Sequence, residues 1–551
     1  MTLADRNTIC LSSADQSSST PEWAPTGVWI AYRGKAGENT GLFIAHPDGS
    51  SKRFLAAMDS TNSPLPMPGK AIAWSPDGRQ IAYVSSQPGP ETADATGDPM
   101  VLTRYLYRPT LTEGYTRFND NKRLHIFIVD VGTGQTRQLS TGNHYEHSID
   151  WSPDGRQIAF VSNREPDEDH FFNYDLFTVD VNTGEIRRLT ATESAEYRPR
   201  WSPNGKAIVY QGTRRGLTDL ETTMEDTHTW LIDADGKNRR ELGGALDYRQ
   251  LEPEWSNDGS QVFFMIRQRG SVPLYRMSVA GGEPNAVVEG PGTVATFSVH
   301  GNQVAYAFST PDSPSELYLK MLNGPATKLT DLNHEVLSGK KVEQIESFTF
   351  ISNDNKLEIE AFLTYPADFK PDRKYPLIVT IHGGPHLQQG PSFDLKNQVY
   401  ASRGWATLMV NYRGSGGYGQ RFLDALFGDQ NGAEAQDVLY GVSAAMRRYL
   451  WIDRERLGIE GGSYGGQLTA WLITQTNIFK AAIPAAAIIN LLSYNYMSYY
   501  NQYEQMEWGM FPHQGDLMNV LWERSPLKHV ARVHTPTLLI HGENDNDVPI
   551  S

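Results

Sequence analysis

Short runs of alternating apolar and polar residues, each introduced by a glycine turn, fill the first half of the chain. Trp74 opens the string WSPDGRQIAY, and Trp151 opens WSPDGRQIAF. Looser copies start at Trp201 (WSPNGKAIVY) and Trp255 (WSNDGSQVFF), and weaker ones at Trp23 (WAPTGVWIAY) and Phe297 (FSVHGNQVAY). In the clear copies Asp-Gly or Asn-Gly supplies the positive-φ turn of a tight hairpin, and the apolar run after it reads as a β-strand. A further strand follows, such as residues 125–130 (HIFIVD) or 175–180 (DLFTVD). A Thr-Gly or Asp-Gly turn then leads to a strand ending near Leu139 or Leu189, which makes about four strands per unit. The starts are separated by 51, 77, 50, 54 and 42 residues. Periods of about 40–50 residues are those of propeller blades, whereas a two-sheet sandwich does not repeat such a string. The long gap holds an insertion at 88–121. Six starts are visible, and a seventh blade assembled from the remaining strands and the chain ends is expected, in preference to six or eight.

The periodicity changes near residues 335–345. A hairpin at 348–366 (FTFISNDNKLEIEAFLTYP) opens a region in which apolar runs alternate with helical stretches. The runs at 377–381, 406–410, 457–460, 481–484 and 537–540 suit strands buried on both faces. Helices are expected at 433–450 and 467–475. The resulting division is an N-terminal segment at 1–20, an all-β propeller at 21–340, and an α/β domain with a mostly parallel sheet at 341–551.

With 551 residues the chain is too long for one core. A net charge of −15 argues against a nucleic-acid partner. The single cysteine, Cys10, rules out an intramolecular disulfide. No apolar run is long enough to span a bilayer, and the start has no signal-peptide pattern, so a cytoplasmic protein without membrane attachment is expected. Self-association is left open.

The chemistry concentrates in the second half. Gly461-Gly-Ser-Tyr-Gly465 fits G-x-S-x-G and lies between an expected strand and helix, the setting of a nucleophile elbow in an α/β-hydrolase. Ser463 is then the nucleophile, and the Tyr464 N–H is one oxyanion donor. A second donor is expected from the loop after an earlier strand. His382-Gly-Gly-Pro-His386 is that loop, with Gly384 as donor and His382 as a supporting group. The triad acid should follow a late strand, and Glu543, Asp545 and Asp547 all stand in HGENDNDVP at 541–549. No metal or organic cofactor is called for.

Together these motifs resemble the prolyl oligopeptidase family, and most closely its acylaminoacyl-peptidase and bacterial dipeptidyl-peptidase branch. WSPDGRQIAF looks like its propeller repeat, and HGGPH like its oxyanion loop. NYRGSGGYGQRF at 411–422, GGSYGG at 461–466 and HGENDNDVP look like further signatures. The resemblance implies a serine peptidase whose propeller admits short peptides. It also implies Asp545 as the triad acid, from the pattern His-Gly-x-x-Asp-x-x-Val-Pro. Tyr494, Tyr496 and Val548 are candidates for the substrate pocket. Two departures stand out: Asp547 occupies a position where acylaminoacyl peptidases often carry arginine, and no Glu-Glu pair of the dipeptidyl-peptidase kind is evident.

Other patterns carry a weaker case. Gly414-x-Gly416-x-x-Gly419 with Glu434 has dinucleotide-site spacing but lies in the wrong unit of the fold. His144 and His147 lack a third metal ligand in sequence, and the acids at 165–169 read as a solvated loop. The tyrosine-rich stretch 493–503 fits either pocket aromatics or a packed lid. An esterase on the same fold, or a propeller scaffold with an inert hydrolase domain, are the rival functions. The triad order is serine, acid, histidine, yet no histidine follows Asp545. The sequence therefore reads as C-terminally truncated. The polypeptide is expected to be nearly inactive, with exposed apolar surface and an unpaired strand edge.

Overall fold

The computed structural model describes residues 9–11, 17–61, 67–89, 122–168, 171–218, 223–498, 501–545 and 547–550. The expected insertion at 88–121 and Asp169 of the acidic run thus lie largely outside the described residues.

The repeat works as its composition implies. In the second unit the Ser75 hydroxyl donates to Asp77 Oδ1 (2.7 Å), Asp77 accepts from the Arg79 N–H (3.0 Å), and Gly78 turns at φ 71°. The same hydrogen bonds recur at Ser152/Asp154 and Ser256/Asp258, where they hold the Asp258 carboxyl down at about 2. The repeated tryptophan serves the seam between units. The indoles of Trp74, Trp151 and Trp255 donate to the carbonyls of Glu22, Ala73 and Arg200 on the preceding first strand, at 2.9–3.0 Å. A second tie lies deeper. His125 Nδ1 sits 2.8 Å from Glu146 of the next unit, and Thr190 bridges Asp175 and Glu196 at 3.0 Å to each. Burial and the neighbouring Asp175 push Glu196 up to about 8.

Among the described residues these units form six four-stranded antiparallel sheets, spanning 18–57, 72–138, 145–188, 196–241, 250–288 and 293–328. The expectation of seven blades is corrected to six. The N-terminal strand Ser18–Trp23 is used up as the first strand of blade one. The strands after Lys328 all enter the other domain, so none remains for a seventh sheet.

The second sheet has six strands. Ile345–Ile351 and Glu358–Thr364 form the expected hairpin, and Glu358–Thr364 pairs antiparallel with Ala406–Asn411. Tyr375–Ile381, Ile452–Gly462 and Ala481–Ala485 then continue in parallel. Val438, Val442 and Ala445 of the helix Ala433–Arg448 join Leu408 and Val410 of the sheet in one buried cluster. The expected strand at 537–540 adds to the parallel edge only through two isolated bridges, Ala482 to Thr537 and Ala485 to Ile540. Leu538, Leu539 and Ile540 are more than half exposed. No helix among the described residues is long and apolar enough to cross a membrane.

The domains are joined by specific polar contacts. The Arg269 N–H donates to the Gly417 carbonyl (2.8 Å), and Arg215 grips Asp424 at 2.9 and 3.2 Å. Gln388 Nε2 donates to the Ser271 carbonyl (3.1 Å). The glycine-rich 411–422 stretch is therefore a docking element. Its Arg413 is buried between Asp437 (2.7 Å) and Asp354 (2.9 Å), fixing the start of the stretch.

Candidate active site

The strand Ile452–Gly462 and the helix Tyr464–Gln475 meet at Ser463, which has φ 57° and ψ −125°. A non-glycine residue rarely adopts this conformation, and its cost of roughly 1–3 kcal/mol is borne by the surrounding packing. Two glycines make that packing attainable. A Cβ on Gly461 would stand 2.3 Å from the Gly465 carbonyl oxygen, and one on Gly465 would stand 2.2 Å from that of Ile381. The turn leaves the Ser463 side chain half-buried at the C-terminal edge of the sheet. Tyr464 opens the helix, so its N–H is among the first-turn donors that find no acceptor within the helix.

The loop 382–386 lies directly against this elbow. Gly383 is the residue nearest the serine: a Cβ there would be 3.0 Å from the Gly462 carbonyl oxygen and 3.8 Å from Ser463 Oγ. Gly384, chosen from the sequence, reverses the chain at φ 121° before Pro385. His382 is fixed on all sides. Its Nε2 lies 2.8 Å from Ser415 Oγ, its ring stacks on Tyr412 at 4.4 Å, and burial pushes it down to about 4. It is neutral at physiological pH and serves as a brace for the loop.

In the acid loop, Asp545 Oδ1 accepts from the N–H groups of Val548 (2.8 Å) and Asp547 (3.1 Å). Its Oδ2 is 3.9 Å from His541 Nε2, which also contacts the Val548 carbonyl at 2.7 Å. Asp545 is half-buried, whereas Glu543 and Asp547 are exposed. Tyr494 and Val548 come together in a buried cluster with Trp508, Leu517 and Leu521, while Tyr496 is 58% exposed. No described histidine hydrogen-bonds the Ser463 hydroxyl. His386 is taken up by the Gly414 carbonyl (2.7 Å) and Glu507 (2.6 Å), and His529 by the Glu523 carbonyl (2.8 Å).

A profile described as the prolyl oligopeptidase family matches residues 391–551, and one described as a TolB β-propeller domain matches 108–230. An uncharacterised peptidase of Bacillus subtilis, YuxL, is 35% identical over 97% of this chain and 82% of its own length. The chain belongs to the prolyl oligopeptidase family. Dipeptidyl-peptidase 5 of Porphyromonas gingivalis is 25% identical over 86% of the chain, which spans 58% of that protein. The solved structure of an acylaminoacyl peptidase from Pyrococcus horikoshii shares the fold, with a TM-score of 0.77 and 23% identity over 97% of this chain and 80% of that one.

In this prolyl oligopeptidase family member several site-shaping residues escaped the sequence reading. Glu434, noted only for its dinucleotide-like spacing, is fully buried. It accepts from the Tyr464 hydroxyl (2.9 Å) and the Gly432 N–H (2.9 Å), and burial pushes it up to about 7. The Tyr412 hydroxyl donates to the His382 carbonyl (3.0 Å), and its ring lies 6.2 Å from that of Tyr464. Both sides of the expected oxyanion hole are thus braced by one aromatic and acidic cluster. The acid at the head of a helix was the available signal, since Asn431-Gly-Ala-Glu434 reads as a helix start. The two histidines with metal-like spacing, His144 and His147, have other partners. His147 is buried, bonded to Ser148 (2.8 Å) and pushed down to about 3, while His144 lies 3.7 Å from Glu168. Among the described residues no three His, Cys, Asp or Glu side chains are grouped to hold a metal.

Proposed function

We propose that this protein hydrolyses short peptides through an acyl-enzyme on Ser463. The observation that carries the proposal is the strained elbow, which holds the Ser463 hydroxyl against the glycine loop. In this reading Ser463 Oγ attacks the scissile carbonyl while a base takes its proton. The Tyr464 and Gly384 N–H groups stabilise the oxyanion, with His382 supporting the loop. The leaving amine takes the proton from the base, and water then cleaves the ester. Asp545 orients the base, and Tyr494, Tyr496 and Val548 contribute to the substrate pocket. The related proteins named for releasing acylated amino acids and dipeptides support an exopeptidase acting on small substrates. The division into a propeller at 21–340 and a catalytic domain at 341–551 is part of the proposal, as is a cytoplasmic location, with which a chain of one cysteine and no internal disulfide is compatible.

A propeller docked over the catalytic domain should select by size. Rates on peptide substrates are expected to fall steeply with length, with unfolded casein cleaved at no more than a few per cent of the rate of a short peptide. Efficient casein digestion would reject the gated arrangement.

Among the described residues no histidine is placed as the base for Ser463. Without a base a serine hydroxyl is a weak nucleophile, and the oxyanion hole supports only residual rates. The polypeptide of residues 1–551 is therefore expected to give no more than trace hydrolysis of peptide anilides. Robust turnover that disappears when one of its own histidines is replaced would show that a described imidazole does reach Ser463.

A further inference from the structure

We propose that the cleft between the fifth blade and the segment after the oxyanion loop binds a carboxylate, and that Arg267 there holds the free carboxyl terminus of a short peptide. This rests on the peptidase reading for the identity of the ligand, while the site itself stands on the following geometry.

The cleft has a volume of about 340 Å³. Arg267 and Thr293 line it from the propeller, and Leu387, Gln389, Ser392 and Asp394 line it from the catalytic domain. That is room for a terminal residue, at the small end of ligand pockets. Arg267 differs from the cations around it. Arg249 is engaged by Asp226 (3.3 Å) and by the carbonyls of Thr223 (2.9 Å) and Glu225 (2.8 Å). Arg269 faces Glu360 (3.5 Å) and Glu358 (3.6 Å), and Arg215 holds Asp424. Among the described residues the Arg267 guanidinium makes no hydrogen bond and no ion pair. Asp226 is the carboxylate that acts on it, yet that group is committed to Arg249, so two guanidinium groups share one negative charge. Burial and Arg249 pull Arg267 down to about 10, as expected for a cation short of counter-charge. An uncompensated, partly buried cation is costly, and a docked anion offsets that cost. Guanidinium is also the side chain best shaped to take a carboxylate with two parallel hydrogen bonds.

A second group in the lining narrows the ligand. Gln389 Oε1 is buried and has no hydrogen-bond partner, although the main chain of the same residue is tied to Asn411 on both its N–H (2.9 Å) and its carbonyl (2.8 Å). The lining thus offers an anion receptor and an acceptor awaiting an N–H. The last residue of a peptide carries a carboxylate and an amide N–H side by side. The remaining polar groups are spoken for: Ser392 pairs with Thr293 (2.6 Å), and Asp394 caps the helix Leu395–Ser402 through the Asn397 N–H (2.9 Å).

The cleft also communicates with the catalytic loop. Leu387 lines it, its Cγ stands 3.2 Å from where a Cβ on Gly384 would be, and its carbonyl accepts from the Gly416 N–H (3.0 Å). A ligand held by Arg267 therefore presses on the segment that carries the expected oxyanion donor.

The test is a binding titration by calorimetry on the 551-residue chain with Ser463→Ala, so that no turnover enters. The probes are N-acetyl-trialanine, its C-terminal carboxamide, and inorganic phosphate. The acid is expected to bind at least about ten-fold more tightly than the amide. That preference is expected to vanish in Arg267→Met and to persist in Arg267→Lys, with unchanged melting temperatures showing that both variants fold. Equal affinity for acid and amide, or a preference that survives Arg267→Met, would overturn the site. Phosphate binding as tightly as the acid peptide would reduce it to a general anion site and overturn the peptide assignment. Lack of hydrolysis by a catalytically competent form of the protein would count against the peptidase reading alone, since these titrations do not depend on turnover.

Discussion

Replacing Ser463 by alanine is expected to lower kcat/KM for a blocked peptide anilide by at least about 10³-fold in a catalytically competent form of the protein, and to abolish labelling by a fluorophosphonate. The loss of a triad nucleophile costs about 10⁶-fold in kcat where it has been measured, and binding with an oxyanion hole retains only the residual rate. The side chain is half-buried and its hydroxyl makes no hydrogen bond among the described residues, so removing it leaves no buried group unpaired. Alanine inherits the same φ of 57° and the same strain. Melting temperature is therefore expected to stay within about 2 °C, because the change removes no hydrogen bond seen among the described residues and leaves the backbone strain as it was, an effect of about 0.5 kcal/mol or less. A variant that keeps more than a tenth of the activity would dismiss Ser463 as the nucleophile.

Asp545→Asn should be the second most damaging substitution, costing roughly 10³–10⁴-fold in kcat, as loss of the acid's charge does in serine proteases. Glu543→Gln and Asp547→Asn should change kcat less than about three-fold. The structure separates the three by environment. Glu543 and Asp547 are exposed, whereas Asp545 is half-buried with Oδ1 fixed by two backbone N–H groups. An asparagine keeps its oxygen on those donors, so the loop keeps its shape and only the charge is lost. An equal loss in Asp547→Asn would transfer the role to that residue.

What the sequence made readable was local. The serine-aspartate turn, the Asp-Gly hairpin and the strand–glycine–serine–helix passage are each written within about ten residues, and each forms as its chemistry requires. What it hid was distant. Glu434 and Tyr464 are 30 positions apart, and His386 and Glu507 are 121 apart. A buried polar pair of this kind has no hydrophobic period to announce it. Blade number was equally non-local, because it depends on which sheet receives the first strand of the chain. Thr537–Ile540 shows the same limit from the other side: its apolar run marks a strand, but pairing on one side gives only isolated bridges.

The construction of blade one has a mechanical meaning. Its four strands are consecutive in the chain, as are the four of blade six, so no sheet contains strands from both ends of the propeller. The ring is a bracelet without a clasp. At the seams between blades one and two, two and three, and four and five, an indole N–H crosses to the neighbouring main chain. Among the described residues no β-ladder joins one blade to the next, so a seam between blades can part without cutting one. Local opening favours the place with the fewest main-chain hydrogen bonds to break. Neighbouring blades can thus shift against one another while every blade keeps its own sheet intact.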